Sequence, residues 1–179
     1  MKQVRQSAFE TNSSSSHSIT IAEGDFKPDT LYIEDGVLEI HPGEYGWEHE
    51  TYYDAATKAS YCLTWLKGED ARHSEEDEEM FIKVLKEVTG AREVKFVPVF
   101  TEETKSQSDF WQWGYIDHQS GPGEGGALSQ AWRSEEALKS FIFNPASRLH
   151  TDNDNDPCSE CEYDWRRDDI MDSARNEKD

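Results

Sequence analysis

The sequence is poor in cysteine, in basic residues and in long apolar runs, and each shortage argues against a class of protein. Its three cysteines, Cys62, Cys158 and Cys161, form an odd set, which fits a reducing compartment better than a disulfide scaffold. No apolar run is long enough for a membrane-spanning helix. Lys2 and Arg5 near the N-terminus are followed by no apolar signal core, so we expect no secretion. These features predict a soluble cytosolic protein.

Basic residues are heavily outnumbered, because 18 Lys and Arg stand against 38 Asp and Glu, for a net charge of −20. So negative a protein is repelled by nucleic-acid phosphates and by anionic membranes, and no local basic patch offsets the charge. We therefore expect no direct nucleic-acid binding and no membrane binding, and the basic surface of another protein is the expected partner. The alternative is that the acidity serves solubility only.

The 179 residues suffice for one domain with a core, and 6 Trp, 7 Tyr and 8 Phe supply bulky material for it. Alternating apolar patterns predict strands over 17–22, 30–34, 37–41, 93–100, 110–116 and 147–151. Asp35-Gly36 predicts a hairpin between the second and third of these strands. Apolar stripes and capping signals predict helices from Asp54 to about Lys67, from Ser74 to Gly90 and from Ser134 to Asn144. A fourth helix is possible around 165–174.

This order of elements predicts a single α+β domain over residues 1–151, with a mostly antiparallel sheet and about three helices. An acidic polar tail over 152–179 follows it.

The most polar stretch of the chain lies between Phe9 and Ser18, just before the first predicted strand. Because apolar residues bracket it, we expect a loop held against the core that presents hydroxyls and an imidazole at the surface. Ser16 beside His17 is a candidate nucleophile with its general base, and the other polar groups could bind an anion. The stretch lacks the Gly-x-Ser-x-Gly elbow, and the alternative is a turn whose side chains satisfy local backbone groups. Its candidate functional residues are Glu10, Asn12, Ser13, Ser16 and His17.

Asp117 and His118 follow the aromatic strand and form a second polar cluster. The aspartate could orient the imidazole or share a metal with it. Adjacent residues of an extended strand point to opposite faces, so a direct pair requires the strand to end there. The alternative is a polar strand terminus that enters a glycine-rich loop.

A third cluster alternates carboxylates with amides over residues 152–156, and its carboxylates are Asp152, Asp154 and Asp156. These are oxygen ligands of the kind that Ca²⁺ or Mg²⁺ prefers, so a divalent metal is a possible cofactor. The match to an EF-hand loop fails at its sixth position, Pro157, and at its twelfth, Tyr163. The alternative is an acidic surface loop.

Cys158-x-x-Cys161 is half of a zinc site. Cys62 and His150 could complete it only if the fold brought all four residues together. The alternative is a pair of thiols in a polar tail.

The acidic run over 69–79 ends at the start of a predicted helix, where Glu75, Glu76 and Asp77 complement the positive end of the helix dipole. The same carboxylates could also contribute to binding a basic partner.

Four segments taken together resemble a group of tailed-phage and prophage proteins that has no settled function. These segments cover residues 9–18, 43–48, 115–120, and 141–145 together with 153–155. The resemblance implies a phage origin and a place in the cytoplasm of a bacterial host, and it transfers no catalytic residue. The acidic tail with its two cysteines lies outside it.

Two functional hypotheses follow. The first is a small acidic phage protein that binds and inhibits a host nucleic-acid-processing or defence protein, for example by mimicking DNA. The second is a metal-assisted enzyme acting on phosphoesters or nucleotides, in which Ser13 to Ser16 and His17 meet Asp117, His118 and Asp154 in one pocket. A structural role in the virion is a third possibility that the sequence neither favours nor excludes.

Overall fold

The computed structural model describes residues 2–4, 15–46, 49–68, 74–106, 111–116 and 127–153. These residues form an α+β fold whose largest sheet is antiparallel, which confirms the predicted fold class. The strands are β1 (Lys2–Val4), β2 (Ser15–Ile21), β3 (Val37–Ile40), β4 (Glu44–Tyr45), β5 (Glu50–Tyr52), β6 (Glu93–Phe96), β7 (Tyr115–Ile116) and β8 (Arg148–Asn153). The helices are α1 (Ala55–Lys67), α2 (Glu75–Thr89) and α3 (Glu135–Phe143), with a 3₁₀ helix η1 (Ala127–Arg133) before α3.

All three predicted α-helices are present and start where their capping residues predicted. The side chains of Asp54, Ser74 and Ser134 each accept a hydrogen bond from the backbone N–H three residues later. At α2 this cap is a reciprocal capping box, which satisfies two backbone donors at once. Gly90 ends α2 with a φ of 73°, a conformation that glycine adopts without the strain a Cβ would bring.

The main sheet has the strand order β1-β2-β8-β5, with β2 and β8 in the middle. Side chains alternate across each strand, so one face is buried and the other is more open. Ile19 and Leu149 face each other across β2 and β8 and are buried against the helices. We call the opposite face, which carries Ser18 and His150, the outer face. No helix among the described residues is long and apolar enough to span a membrane.

The core lies between the inner face of this sheet and the three helices. The apolar stripe predicted for α1 is buried, and the central residues of the α2 stripe are buried with it. Nearly the whole second half of α3 is buried, which places this helix in the middle of the packing.

The predicted hairpin around Asp35-Gly36 is wrong in its pairing. The turn itself forms, with φ of 49° and 80° at the two residues, but the antiparallel contact is a single bridge between Glu34 and Val37. Strand β3 instead pairs in parallel with β6. Leu31, in the segment before the turn, packs against the core instead of continuing along β3.

The predicted strands over 93–100 and 110–116 are shorter than expected. Strand β6 ends at Phe96, and β7 is only Tyr115–Ile116, paired in parallel with β4. Before β7 the chain makes a turn in which Gly114 donates to the Trp111 carbonyl at 3.3 Å. A Cβ at Gly114 would lie 2.1 Å from the Gly43 carbonyl oxygen, so this turn admits only glycine. Residues 111–115 therefore do not align their aromatic rings on one strand face.

Strand β8 confirms the last predicted strand and continues to Asn153, beyond residue 151 where we expected the domain to end. The helix predicted around 165–174 lies outside the described residues.

Candidate functional site

His17 lies on the inner face of β2 and is only 7 % exposed. Its Nδ1 is 2.8 Å from the hydroxyl oxygen of Tyr61 on α1, and the two rings are 5.7 Å apart. Burial raises the pKa of Tyr61, so this hydroxyl stays protonated at neutral pH. The prediction that this imidazole lies at the surface is wrong, because Ser15–Ile21 is a strand whose histidine faces the core, and the part of the expected loop before Ser15 lies outside the described residues.

Ser16, the predicted partner of His17, directly precedes it on β2. The backbone register sets Ser16 opposite Asp152 of β8. Two of the predicted site residues, Ser16 and Asp152, are thus neighbours in the main sheet, and the catalytic pairing of Ser16 with His17 stays a prediction.

The remaining predicted residues of the polar pocket lie outside the described residues, so their roles stay predictions. They are Glu10, Asn12, Ser13, Asp117, His118, Asp154 and Asp156, together with the thiols Cys158 and Cys161. Within the described part of the chain, no three His, Cys, Asp or Glu residues are grouped so as to hold a metal ion. The divalent metal therefore also stays a prediction.

The outer face of the main sheet carries hydroxyls and an imidazole in one row. Ser18, His150 and Thr51 are register partners across β2, β8 and β5. The Thr51 hydroxyl is 2.9 Å from Nδ1 of His150. One step along the sheet, the Arg148 guanidinium donates to the Thr20 hydroxyl at 3.3 Å. Sequence reasoning missed this row because the short strand β5 has no apolar alternation to reveal it.

A cleft of about 700 Å³ lies between β3, the first half of α1 and the chain that leads into β3. We call it the β3 cleft. Glu34, Asp35 and Glu39 line it, and Lys95 is the one lysine or arginine among the lining residues that the structure describes. Tyr32, also in the lining, is 81 % exposed.

The α1 side of the β3 cleft is made of small side chains. Ala56, Thr57 and Ser60 lie along one side of the helix and line the cleft, while the buried stripe of α1 faces the core. The Tyr45 hydroxyl donates to the Thr57 carbonyl at 3.3 Å, and burial raises the pKa of Tyr45. The cleft is therefore bounded on one side by α1, whose opposite side is buried in the core, and on the other by the short strand β3.

The candidate binding residues at the start of α2 divide into two groups. The Asp77 carboxylate accepts from the backbone N–H and the hydroxyl of Ser74, each at 3.0 Å, so it closes the helix end. Glu75 and Glu76 are exposed to solvent. Ion pairs with cations of other segments engage two further carboxylates of the helix, Glu78 with Lys67 and Glu87 with Lys139.

In one further ion pair, α2 supplies the cation: Lys83 binds the Glu135 carboxylate of α3 at 2.7 Å. This hydrogen bond and its charge raise the pKa of Lys83, and the bond to Lys139 likewise lowers the pKa of Glu87. The α2–α3 surface is thus partly neutralised, and its strongest negative charge lies at the start of α2.

Lys58 is a buried polar residue that sequence reasoning missed. Its side chain is fully buried, and Nζ donates to the carbonyls of Asn144 and Ser147, each at 3.0 Å. Burial lowers its pKa to about 8, although the carboxylates of Asp29 and Asp54 oppose the shift. Its position within the apolar stripe of α1 was the one sequence signal that could have revealed it.

A lysine with a lowered pKa can serve as a nucleophile, but this one is closed off from solvent. Through its two hydrogen bonds, Lys58 instead joins α1 to the end of α3 and the start of β8.

Comparison of the chain with protein-family models, with curated proteins and with solved structures gives no match, so no relative bears on its function.

Proposed function

We propose that this protein acts by binding a basic segment of another protein, and that the β3 cleft is where that segment binds. The observation that carries the proposal is the charge of the cleft, which Glu34, Asp35 and Glu39 line, while Lys95, the register partner of Glu39, is the one lysine or arginine among the described residues of the lining. A concave surface lined mainly by one sign of charge concentrates ligands of the opposite sign. A lysine- or arginine-bearing segment is therefore the ligand that this cleft favours.

The charge of the whole molecule supports the same proposal. A net charge of −20 attracts a basic partner from a distance and speeds its encounter with the cleft. The position of His17 in the core withdraws support from the competing enzyme, whose general base it was expected to be.

The resemblance to tailed-phage proteins supports a setting for this binding, namely the cytoplasm of a bacterial host. Host proteins that process or defend nucleic acid carry basic surfaces to bind phosphates, so they are the partners we propose. Inhibition through DNA mimicry is one form of the proposal, and it needs carboxylates in rows. Glu75 and Glu76 could begin such a row. Both lie within one helix turn, which rises only about 5 Å, so these two residues alone make a very short row.

The proposal is tested by calorimetric titration with the heptapeptide Lys-Thr-Lys-Val-Lys-Thr-Lys and with a version in which every lysine is glutamate. We expect the lysine peptide alone to bind, with an affinity that falls from about 0.05 M to about 0.5 M salt as screening increases. The double variant Glu34→Gln/Glu39→Gln should weaken binding about tenfold. An affinity that is unchanged by salt and by this variant contradicts the proposal.

The matched control is Glu75→Gln/Glu76→Gln, which removes the same charge from the start of α2. We expect this control to change the affinity by less than about threefold, because it alters the distant field alone. A larger loss in the control than in the cleft variant would move the binding site to α2 and favour the DNA-mimic form.

The outer face of the main sheet favours a second candidate function, hydrolysis of a phosphoester with help from a divalent metal. The observation that favours this candidate is the Thr51 hydroxyl, which lies 2.9 Å from Nδ1 of His150. The same sheet pairs Ser16 with Asp152. Hydrolysis of p-nitrophenyl phosphate with added Mg²⁺ or Mn²⁺ tests it. The candidate requires activity that the substitution His150→Gln abolishes, and it is excluded if neither metal gives activity above a buffer control.

A further inference from the structure

We propose that the β3 cleft binds its basic segment as an added β-strand. This strand would be hydrogen-bonded to the edge of β3 that faces away from β6, which we call the outer edge of β3. This inference rests on the proposed function and names the mode of binding. It predicts an extended ligand that enlarges the two-stranded β3–β6 sheet to three strands.

The first support is the direction of the backbone groups of β3. The carbonyls of Gly36 and Ile40 accept hydrogen bonds from the β6 chain, with Val97 donating to Ile40 at 2.9 Å. Peptide groups alternate between the two edges of a strand, so those of Val37 and Glu39 point away from β6. Val37 follows this pattern, because it exchanges two hydrogen bonds with Glu34 on the outer side.

The Glu39 peptide group is therefore directed into the cleft. Glu39 lines the cleft, and no strand among the described residues pairs with β3 on that edge. An edge that offers backbone donors and acceptors is a template for another strand. His41 has the same parity as Glu39 and extends the template by one position.

The second support is the missing half of the predicted hairpin. The turn at Asp35-Gly36 has the geometry that returns a chain along β3, yet pairing stops at Glu34. Because Leu31 and Ile33 pack against the core, the segment before the turn leaves the edge of β3 open. The cleft occupies the position that the partner strand of this hairpin would have filled.

The third support is the α1 side of the β3 cleft. A third strand would lie about 4.8 Å from β3, alongside the part of α1 that presents Ala56, Thr57 and Ser60. Such small side chains let another backbone approach, whereas larger residues on the helix would fill this space. The length available along the four residues of β3 is about 13 Å.

The occupant we assign is an extended segment with lysine or arginine at alternate positions. Glu34, Asp35 and Glu39 complement such a segment, and opposite charges on neighbouring strands attract each other. The exposed ring of Tyr32 adds a face for a cation to pack against. The residues after Asn153 are rich in carboxylates, so the end of this chain has the same sign as the cleft and fits it poorly.

The decisive experiment uses the intact protein with two N-methylated forms of the heptapeptide Lys-Thr-Lys-Val-Lys-Thr-Lys. One form carries methyl groups on the odd-numbered amides and the other on the even-numbered amides. An added strand directs only alternate amides to β3, so we expect one form to bind like the unmodified peptide and the other to lose at least about tenfold in affinity. Equal binding of both forms to the unmodified level overturns strand addition, and equal loss in both forms does so as well.

Amide hydrogen exchange gives a second reading on the same complex. We expect the peptide to slow exchange at Glu39, while the amide of Leu38, which faces β6, changes little. Slow exchange at Glu39 before any peptide is added would overturn the inference, because it would mean that residues 30–34 already close onto this edge.

A variant pair tests the same backbone donor from the side of the protein. Glu39→Pro removes the N–H that points into the cleft, and Glu39→Gln removes the same charge but keeps the donor. We expect the proline variant to bind at least about tenfold more weakly than the glutamine variant. If the proline variant fails to fold, as judged by circular dichroism, the two N-methylated peptides decide.

These outcomes separate the mode of binding from the proposed function. Failure of the unmodified lysine peptide to bind removes both. Salt-dependent binding that ignores both N-methylation patterns keeps the acidic cleft as a binding site and removes strand addition alone.

Discussion

Two polar side chains inside the core connect elements that are distant in sequence. Lys58 joins α1 to the end of α3, and His17 joins β2 to α1 through Tyr61. A buried polar group costs stability unless its hydrogen bonds are made, and both residues have partners here. Both side chains are buried, so each contributes here as a contact between elements of the core.

Lys58 should make stability depend on pH in the alkaline range. Its pKa is about 8 in the folded protein and 10.5 in the unfolded chain, so the unfolded chain holds more protons between these values. Stability contributed by this residue therefore rises with pH through that window, by at most about 3 kcal/mol. We expect the free energy of unfolding of the wild type, measured relative to Lys58→Met, to increase by this order from pH 8 to pH 10.5.

The comparison with Lys58→Met subtracts the titration that the two proteins share, chiefly that of the tyrosines. Burial raises the pKa of Cys62 in both proteins, and the charge of Lys58 opposes this shift in the wild type alone. A difference between wild type and variant that stays constant over the window would refute the lowered pKa.

Tyr61→Phe should destabilise the protein by about 1 to 3 kcal/mol, because it leaves Nδ1 of the buried His17 without the phenol 2.8 Å away. Urea unfolding followed by fluorescence measures this loss. Tyr32→Phe is the control, since this ring is 81 % exposed and its hydroxyl should contribute almost nothing. Equal effects of the two substitutions would rule out a stabilising role for the His17–Tyr61 contact.

At the scale of elements, the helices could be predicted and several strands could not. The start of α2 combines Ser74, an acidic first turn and Gly90 at the far end, all signals carried within one short stretch. The strand expected over 30–34 has an equally good local pattern, yet only Glu34 pairs. A strand needs a partner from elsewhere in the chain, and β6 takes the inner edge of β3 while the core holds Leu31 and Ile33.

Ser74→Ala should cost about 1 kcal/mol of stability, because it removes the side-chain acceptor for the Asp77 N–H. Thermal unfolding by circular dichroism measures the change. Ser74→Thr keeps a hydroxyl at the same place and should stay within about 0.5 kcal/mol of the wild type. A destabilisation by threonine as large as that by alanine would contradict the cap as its cause.

At the scale of the whole molecule, charge is the dominant property. The net charge on the 179 residues is −20, so acidic side chains repel one another within the folded protein. Ion pairs such as Lys83–Glu135 offset part of this repulsion. The β3 cleft shares this negative charge, and its carboxylates determine which ligand we propose for it.

Salt should therefore stabilise the fold while it weakens binding. We expect the melting temperature to rise by several degrees as sodium chloride increases from about 0.02 M to about 0.5 M, because screening reduces self-repulsion. Calorimetry on the free protein measures this shift. A melting temperature that falls over this range would indicate that ion pairs outweigh the repulsion.

The sequence by itself determined the α+β class, the three capped helices and the negative charge of the molecule, because these depend on composition and on neighbours within a few residues. It also pointed to the polar stretch at 9–18, but tertiary structure decided that His17 is buried beside Tyr61 and that Ser16 pairs with Asp152 of β8. Pairing between distant strands placed Thr51 beside His150 and, in the part of the chain that the structure describes, put no strand on the outer edge of β3, since such contacts depend on which segments compete for the same edge.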